Sequence, residues 1–513
     1  MAKRSRVPRQ KKVDLATTLP AELWLHIFEL LTIRDIQGMM MVHRVFYNYS
    51  CPFMWRSLVL YSRESKHQTQ VRAIMRNLTF GQHVMELHLR PILRVRELNG
   101  KPFSPLNPLP SVRVSNRLIR TPQVPDVPYS QAALSTALAV LPHLTRLRTL
   151  WVSTWLSSGD HPSPEPYRIL WSNLPTNNLT SVAFTFSSWA PLKLISEAIC
   201  DSQVSFPCLE TLDLHSFVEP HENCDSEPFE RSIRVIADAG RNSLKSLRLA
   251  LFPHDNRPPP SRLFSGIGLF PNLVHFDFTA FHCKDDILVT AFLGGHHSTL
   301  KKLNIRGFAH QLFPCLHLAE TKASRSMKLT SLGFQYQTER RFSPWSFGGE
   351  PSLRAYADSL TTLSFSPAWI LPDFQCAFKH EDLCKVVSSL YRPSGALLQR
   401  LRIPVEYLCP EFFDLLSHHL VNLHTLDIAH RKLVTHVGSM HEAPHEFWQE
   451  MKKRTYPNWK VERFSLVDAL YWIPCWPVLG DEQKQIMKHA IPSIKAFGDC
   501  EWQDLEVNVP MPT

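Results

Sequence analysis

Over most of its length the chain returns to one apolar phrase, Leu-x-x-Leu-x-Leu, with Phe, Val or Ile standing in at some positions. Copies begin at Leu179, Leu209, Leu244, Leu273, Leu300, Leu329, Leu360, Leu398 and Leu423, and looser ones at Val84, Leu147 and Val461. From Leu147 to Val461 the steps between copies run from 25 to 38 residues. In each copy the last two apolar positions lie two residues apart, which is the period of a strand with one buried face. About twenty residues then remain to carry the chain back, usually as a helix, so that the next strand runs parallel to the last. Segments 229–239 (FERSIRVIADA) and 410–420 (PEFFDLLSHHL) have the spacing of such return helices. One unit cannot bury its apolar face alone, whereas stacked units form a continuous core. The pattern predicts parallel strands, in chain order, near 180–184, 210–214, 245–249, 274–278, 301–305, 330–334, 361–365, 399–403 and 424–428.

The N-terminal part has a different rhythm. Pro20 suits a first helical turn, and Leu19, Leu23, Ile27 and Leu31 recur every four residues, with Phe28 and Leu30 widening the stripe. Thr32 to Asp35 reads as a capping box opening a second helix. A third helical stretch, from Val42 to Tyr49, is expected to stop at Cys51-Pro52. Three short helices of this kind expose more apolar surface than they can bury, which asks for a partner.

The residues Leu19-Pro20, Glu22-Leu23, Ile27-Phe28, Leu31, Asp35-Ile36, Val42, Phe46 and Trp55-Arg56 resemble the F-box in order and spacing. His43 and Phe46 stand where that family often has Cys and Trp. The resemblance implies three helices that dock on the Skp adaptor and, through it, on a cullin. The docking residues it implies are Leu19, Pro20, Leu23, Ile27, Leu31, Ile36, Val42 and Trp55. The repeats are similar to the leucine-rich-repeat family, though its usual Asn or Cys is missing. Phe217, Phe252, Phe281 and Phe308 hold that place in four successive copies, which predicts a ladder of packed rings.

The expected fold class is therefore α/β: a three-helix F-box over 17–60, then an irregular solenoid over 61–475, with parallel strands on a concave face and helices on a convex one. Residues 476–513 are expected as a C-terminal cap and tail. The implied function is a substrate-recognition adaptor of a Skp–cullin–F-box ubiquitin ligase. A repeat scaffold with no role in ubiquitin transfer is the other reading. Contacts with an unknown protein substrate are expected from outward strand positions, with Asp213, Arg248, Asp277, Asn304, Arg402 and Asp427 as candidates.

Charge refines this picture. The formal net charge is +10, but a basic tail over 1–16, expected to be disordered, and a Pro-rich basic insertion over 91–128 hold nearly all of it. The body is close to neutral, so nucleic acid is not an expected partner. No apolar run approaches the ~20 residues that cross a bilayer, so neither is a membrane. Eleven scattered cysteines form no C-x-x-C pair, which speaks against a disulfide framework and a zinc site. A cytoplasmic or nuclear location is expected, with no cofactor and no catalysis. His441-Glu442-Ala443-Pro444-His445 spells the H-E-x-x-H of zinc peptidases. Pro444, however, would start a helix rather than sit inside one, leaving His441 off its face.

Overall fold

The computed structural model describes residues 19–61, 65–90, 138–154, 165–186, 189–216, 226–251, 267–279, 286–308, 327–337, 349–367, 377–392, 396–468 and 479–498. The basic tail, the 91–128 insertion, Phe217, Phe252 and Phe281 lie outside these residues, so the aromatic ladder does too. The chain divides into two compact units, Met1–Phe206 and Pro207–Thr513.

The first unit opens with helices α1 (Ala21–Leu30), α2 (Ile33–Met40) and α3 (Arg44–Met54). Thr32 caps α2, its hydroxyl accepting the Asp35 N–H at 3.3 Å and donating to the Asp35 carboxylate at 2.6 Å. His43 caps α3 through Nδ1, which accepts the Val45 N–H at 3.1 Å. The third helix runs past the expected stop at Cys51 and includes Pro52. Its last turn still closes, with the Trp55 N–H on the Cys51 carbonyl at 3.0 Å, so proline removes only one bond near the helix end. Strands β1 (Ser57–Tyr61), β2 (Glu86–Arg90), β3 (Thr149–Thr154) and β4 (Ser181–Phe186) follow. They pair parallel in chain order. Helices α4 (Ser65–Arg76), α5 (Glu165–Asn173) and α6 (Trp189–Asp201) belong to the same unit.

The second unit repeats strand and return. Its strands are β5 (Thr211–Ser216), β6 (Ser246–Leu251), β7 (His275–Thr279), β8 (Lys302–Phe308) and β9 (Ser331–Gln337). They continue as β10 (Thr362–Pro367), β11 (Arg400–Leu408), β12 (Thr425–Leu433), β13 (Arg463–Asp468) and β14 (Ala496–Phe497). All pair parallel with their chain neighbours. The described return helices are α7 (Ser226–Ala239), α8 (Asp286–Gly295), α9 (Gly349–Tyr356) and α10 (His380–Leu390). They continue as α11 (Pro410–His419), α12 (Pro444–Lys452) and α13 (Asp481–Ala490). The residues expected as a cap thus hold a further helix and strand.

Stacked strand-and-return coils are the repeat-solenoid architecture, and the sequence shows why it forms. The apolar positions of each phrase are buried, as in Leu209, Leu212 and Leu214, or Leu300, Leu303 and Ile305. Register is set at each strand entry, where one carbonyl accepts two successive N–H groups of the next coil. The Glu210 carbonyl takes Lys245 and Ser246, and the Lys245 carbonyl takes Val274 and His275. Asparagine does recur, immediately before the first Leu of three copies. Asn178, Asn272 and Asn422 each donate to a carbonyl of the preceding coil, at 2.9, 2.7 and 3.1 Å.

Candidate functional site

Two surfaces carry the predicted residues, one on the helices of the first unit and one on the strand face of the second. In the helices, side chains of α1 divide between two faces. Trp24 and Phe28 turn inward: Trp24 meets Phe46 edge-on at 4.6 Å, and Phe28 stacks on Phe53 at 5.9 Å. Phe28 and Ile36 are buried, so Ile36, an expected docking residue, belongs to the packing of the helices themselves. Trp55 stacks nearly parallel on Phe80 at 4.7 Å and ties the helices to the residues before β2. Arg56 extends this link through its ion pair with Glu86, at 3.2 Å.

The opposite face stays open. Leu19, Pro20, Leu23 and Val42 are exposed, while Ile27 and Leu31 are partly covered. Leu23 is 50% and Val42 72% exposed. Leu30, Ile33 and Met41, which sequence reasoning did not place in the docking set, are exposed as well. Full burial of such a side chain is worth ~1.5–3 kcal/mol, and the part still exposed on each of these remains to be gained on docking.

On the strand face the six candidate contact residues fall into one line. Asp213, Arg248, Asp277 and Asn304 are register partners across β5 to β8, and Arg402 and Asp427 are partners across β11 and β12. Between the two groups Gly333 adjoins Asn304, and a Cβ there would collide with the Asn304 carboxamide oxygen. The line is a chain of ion pairs. Asp277 accepts from Arg306 Nε and Nη2 at 3.1 and 2.9 Å and from Arg248 Nε at 3.0 Å. Arg248 reaches back to Asp213 at 3.4 Å, and Asp213 contacts His215 at 2.5 Å. Asn304 donates to His275 Nε2 at 3.3 Å, which leaves the ring proton on Nδ1 facing Ser246.

Burial disfavours ionisation of Asp277, but Arg306 and Arg248 outweigh it and hold the carboxyl below its usual range. Burial, together with Arg248 and Lys302, outweighs Asp277 and Asp213 at His275 and keeps that imidazole below its usual range. Asp277, Arg402 and Asp427 are buried, unlike the solvated positions that strand alternation predicts, while Asp213, Arg248 and Asn304 are half-buried. The six residues therefore join neighbouring coils. Arg306 and Arg400, also in this network, were missed by the sequence reading. Arg306 pairs in register with Thr279 and Arg400 with Thr425, so each reaches its carboxylate from a neighbouring row, and alignment of the copies does not set them opposite an acid.

The core side of the sheet holds one unusual group. His430 on β12 lies in register with Val405 on one side and Asp468 on the other, is buried, and its Nδ1 has no hydrogen-bond partner among the described residues. Burial pushes its pKa down from 6.5 to about 4. The unfolded chain takes up this proton near pH 6.5 and the folded chain only near pH 4. The native state therefore keeps its full stability above pH 6.5 and loses up to about 3 kcal/mol as pH falls through that window. In urea unfolding at pH 7 and pH 4.5, His430→Gln is expected to lose less stability on acidification than the parent chain. An equal loss would mean that His430 does not titrate this way.

The zinc-peptidase spelling fails on geometry. Pro444 is the first residue of α12, so His441 precedes the helix and the two histidines do not share a helical face. Among the described residues, no group of three His, Cys, Asp or Glu side chains is placed to hold a metal ion. No described helix is long and apolar enough to cross a membrane.

No family model and no curated protein matches the chain. Among solved structures it is similar to the yeast Rad7–Elc1 complex at 13% identity and a TM-score of 0.34, over 59% of this chain and 76% of that one. A second similarity is to the TLR13–ssRNA13 complex, at 14% identity and a TM-score of 0.25, over 67% of this chain and 62% of that one. The latter match spans less than two thirds of the TLR13 chain. Neither TM-score reaches one half.

Proposed function

We propose that the chain is a substrate-recognition adaptor of a Skp–cullin–F-box ubiquitin ligase, with its N-terminal helices docking a Skp adaptor and its repeats holding a protein to be ubiquitinated. The observation that carries this reading is the open apolar face of Leu19, Leu23 and Val42. It lies at the positions where the sequence resembles the F-box, on helices that pack their own core with Trp24, Phe28, Phe46 and Phe53. An unpartnered apolar face rimmed by polar residues marks a protein-docking surface, and laying it in a groove recovers the burial the helices lack. The adaptor's contribution is proximity and orientation, since other subunits carry out the transfer.

Capture of the tagged full chain from cells, followed by mass spectrometry, tests the assignment. The expected result is recovery of a Skp-type adaptor together with a cullin. Recovery of neither would contradict it, and recovery of other partners alone would assign the repeats to a scaffold.

A further inference from the structure

The arginines on the strand face of the second unit differ in how closely they are paired. Over β5 to β8, Arg248 and Arg306 face Asp213 and Asp277, and both arginines have short contacts to carboxylates. Over β11 to β13 the same face carries Arg400 and Arg463 in its front row, with Asp427 the nearest carboxylate to Arg400 among the described residues. Asp427 is shared at longer range, 3.4 Å from Arg400 and 3.5 Å from Arg402. Arg463 is exposed and makes no ion pair among the described residues.

Register sets the spacing of the front-row arginines. Arg400, Thr425 and Arg463 occupy one row on three adjacent strands, so the two arginines stand two strand spacings apart, about 10 Å. Thr425 between them is half-buried and offers a hydroxyl. The row behind holds Ser364, Arg402, Asp427 and Ser465. The hydroxyls of Ser364 and Ser465 are enclosed there without a hydrogen-bond partner among the described residues. Nothing apolar interrupts the front row, and one half of each guanidinium fork suffices for a carboxylate.

We propose that Arg400 and Arg463 bind an acidic stretch of a partner protein, two carboxylates spaced two to four residues apart along an extended segment, with Thr425 between them. This rests on the adaptor reading and gives the chemical class of segment the repeats would hold. An extended chain rises about 3.3 Å per residue, so carboxylates two to four residues apart span about 7–13 Å and bracket the arginine spacing. Glu406 on the same face is engaged by Arg431 at 3.8 Å.

The test uses the full chain and fluorescein-labelled, Gly/Ser-based ten-residue peptides carrying two glutamates two, three or four residues apart, followed by fluorescence anisotropy at low salt. At least one spacing is expected to bind, its glutamine twin is not, and added salt should weaken the complex. Arg463→Glu, at an exposed position with no ion pair to break among the described residues, should lower affinity by about tenfold or more. Arg400→Glu should act in the same direction, with the circular dichroism spectrum unchanged. Equal binding by the glutamine peptides or by Arg463→Glu would overturn the proposal, as would a peptide that binds only when phosphoserines replace the glutamates. Binding seen only in a chain ending at Gly498 would assign the arginines to the chain's own Asp499, Glu501, Asp504 and Glu506, and overturn it too. Adaptor capture is a separate readout: if it succeeds while the peptides fail, the ligase reading stands and only this inference falls.

Discussion

Replacing Leu23 and Ile27 together by aspartate is expected to abolish adaptor binding while both units stay folded. Both side chains lie on the outward face of α1, Leu23 half-exposed and Ile27 partly covered. In the free chain the cost at Leu23 is mainly helix propensity, at most about 0.7 kcal/mol, and at Ile27 the loss of its partial burial adds about 1 kcal/mol. In a dry groove the same carboxylates would be buried without partners, at several kcal/mol apiece, and the leucine and isoleucine burial would be lost as well. A loss of about a thousandfold in affinity, roughly 4 kcal/mol, is a conservative expectation. Isothermal titration of a purified Skp-type adaptor into parent and variant measures it. The aromatic circular dichroism of the Trp24–Phe46 cluster reports whether the helices have stayed intact. Unchanged affinity would remove the docking role from α1.

The second large effect is expected at Asp277. Its side chain is 1% exposed and holds two arginines, of which Arg306 is itself 5% exposed. Asp277→Ala leaves the Arg306 guanidinium enclosed without its carboxylate, an error that costs about 3–5 kcal/mol. A stacked array passes such a loss mainly to adjacent coils. Hydrogen exchange should therefore rise most in β6, β7 and β8 and least in β12 and β13. A change below about 1 kcal/mol in urea unfolding would mean that the ion-pair chain does not hold these coils together. Replacing Asp277, Arg248 and Arg306 together by apolar residues of similar size should be far less damaging, because no charge is then stranded.

The strands were the most legible part of the sequence. The expected starts at 210, 245 and 301 became Thr211, Ser246 and Lys302, one residue later in each case, because the alternating apolar pair marks the strand without marking its first hydrogen bond. Strands β11 and β12 run on to Leu408 and Leu433, beyond the apolar phrase, and pair through these extra residues. Strand β1 was missed because SLVLY follows directly on the helices and lacks the leading leucine. The apolar stripe of α1 was visible, but its division was not. A four-residue period places Leu19, Leu23 and Ile27 on one side without saying whether that side or the Trp24–Phe28 side faces inward, and tertiary packing settled it.

At the strand face, alternation identified Asp213, Arg248 and Asp277 as outward residues one at a time. Their pairing required register between copies 29 to 35 residues apart, which irregular spacing concealed. Aligning the copies on their leucines would have brought Asp, Arg and Asp into consecutive register, the arrangement that opposite charges on neighbouring strands favour.

The most direct test of the central claim is to mix the purified full chain with a purified Skp-type adaptor and follow sedimentation velocity. The account predicts a one-to-one complex at micromolar concentrations, lost on the Leu23→Asp, Ile27→Asp double change. Separate boundaries for two folded proteins at about 10 μM, where a complex with a dissociation constant near 1 μM would be mostly formed, would contradict it.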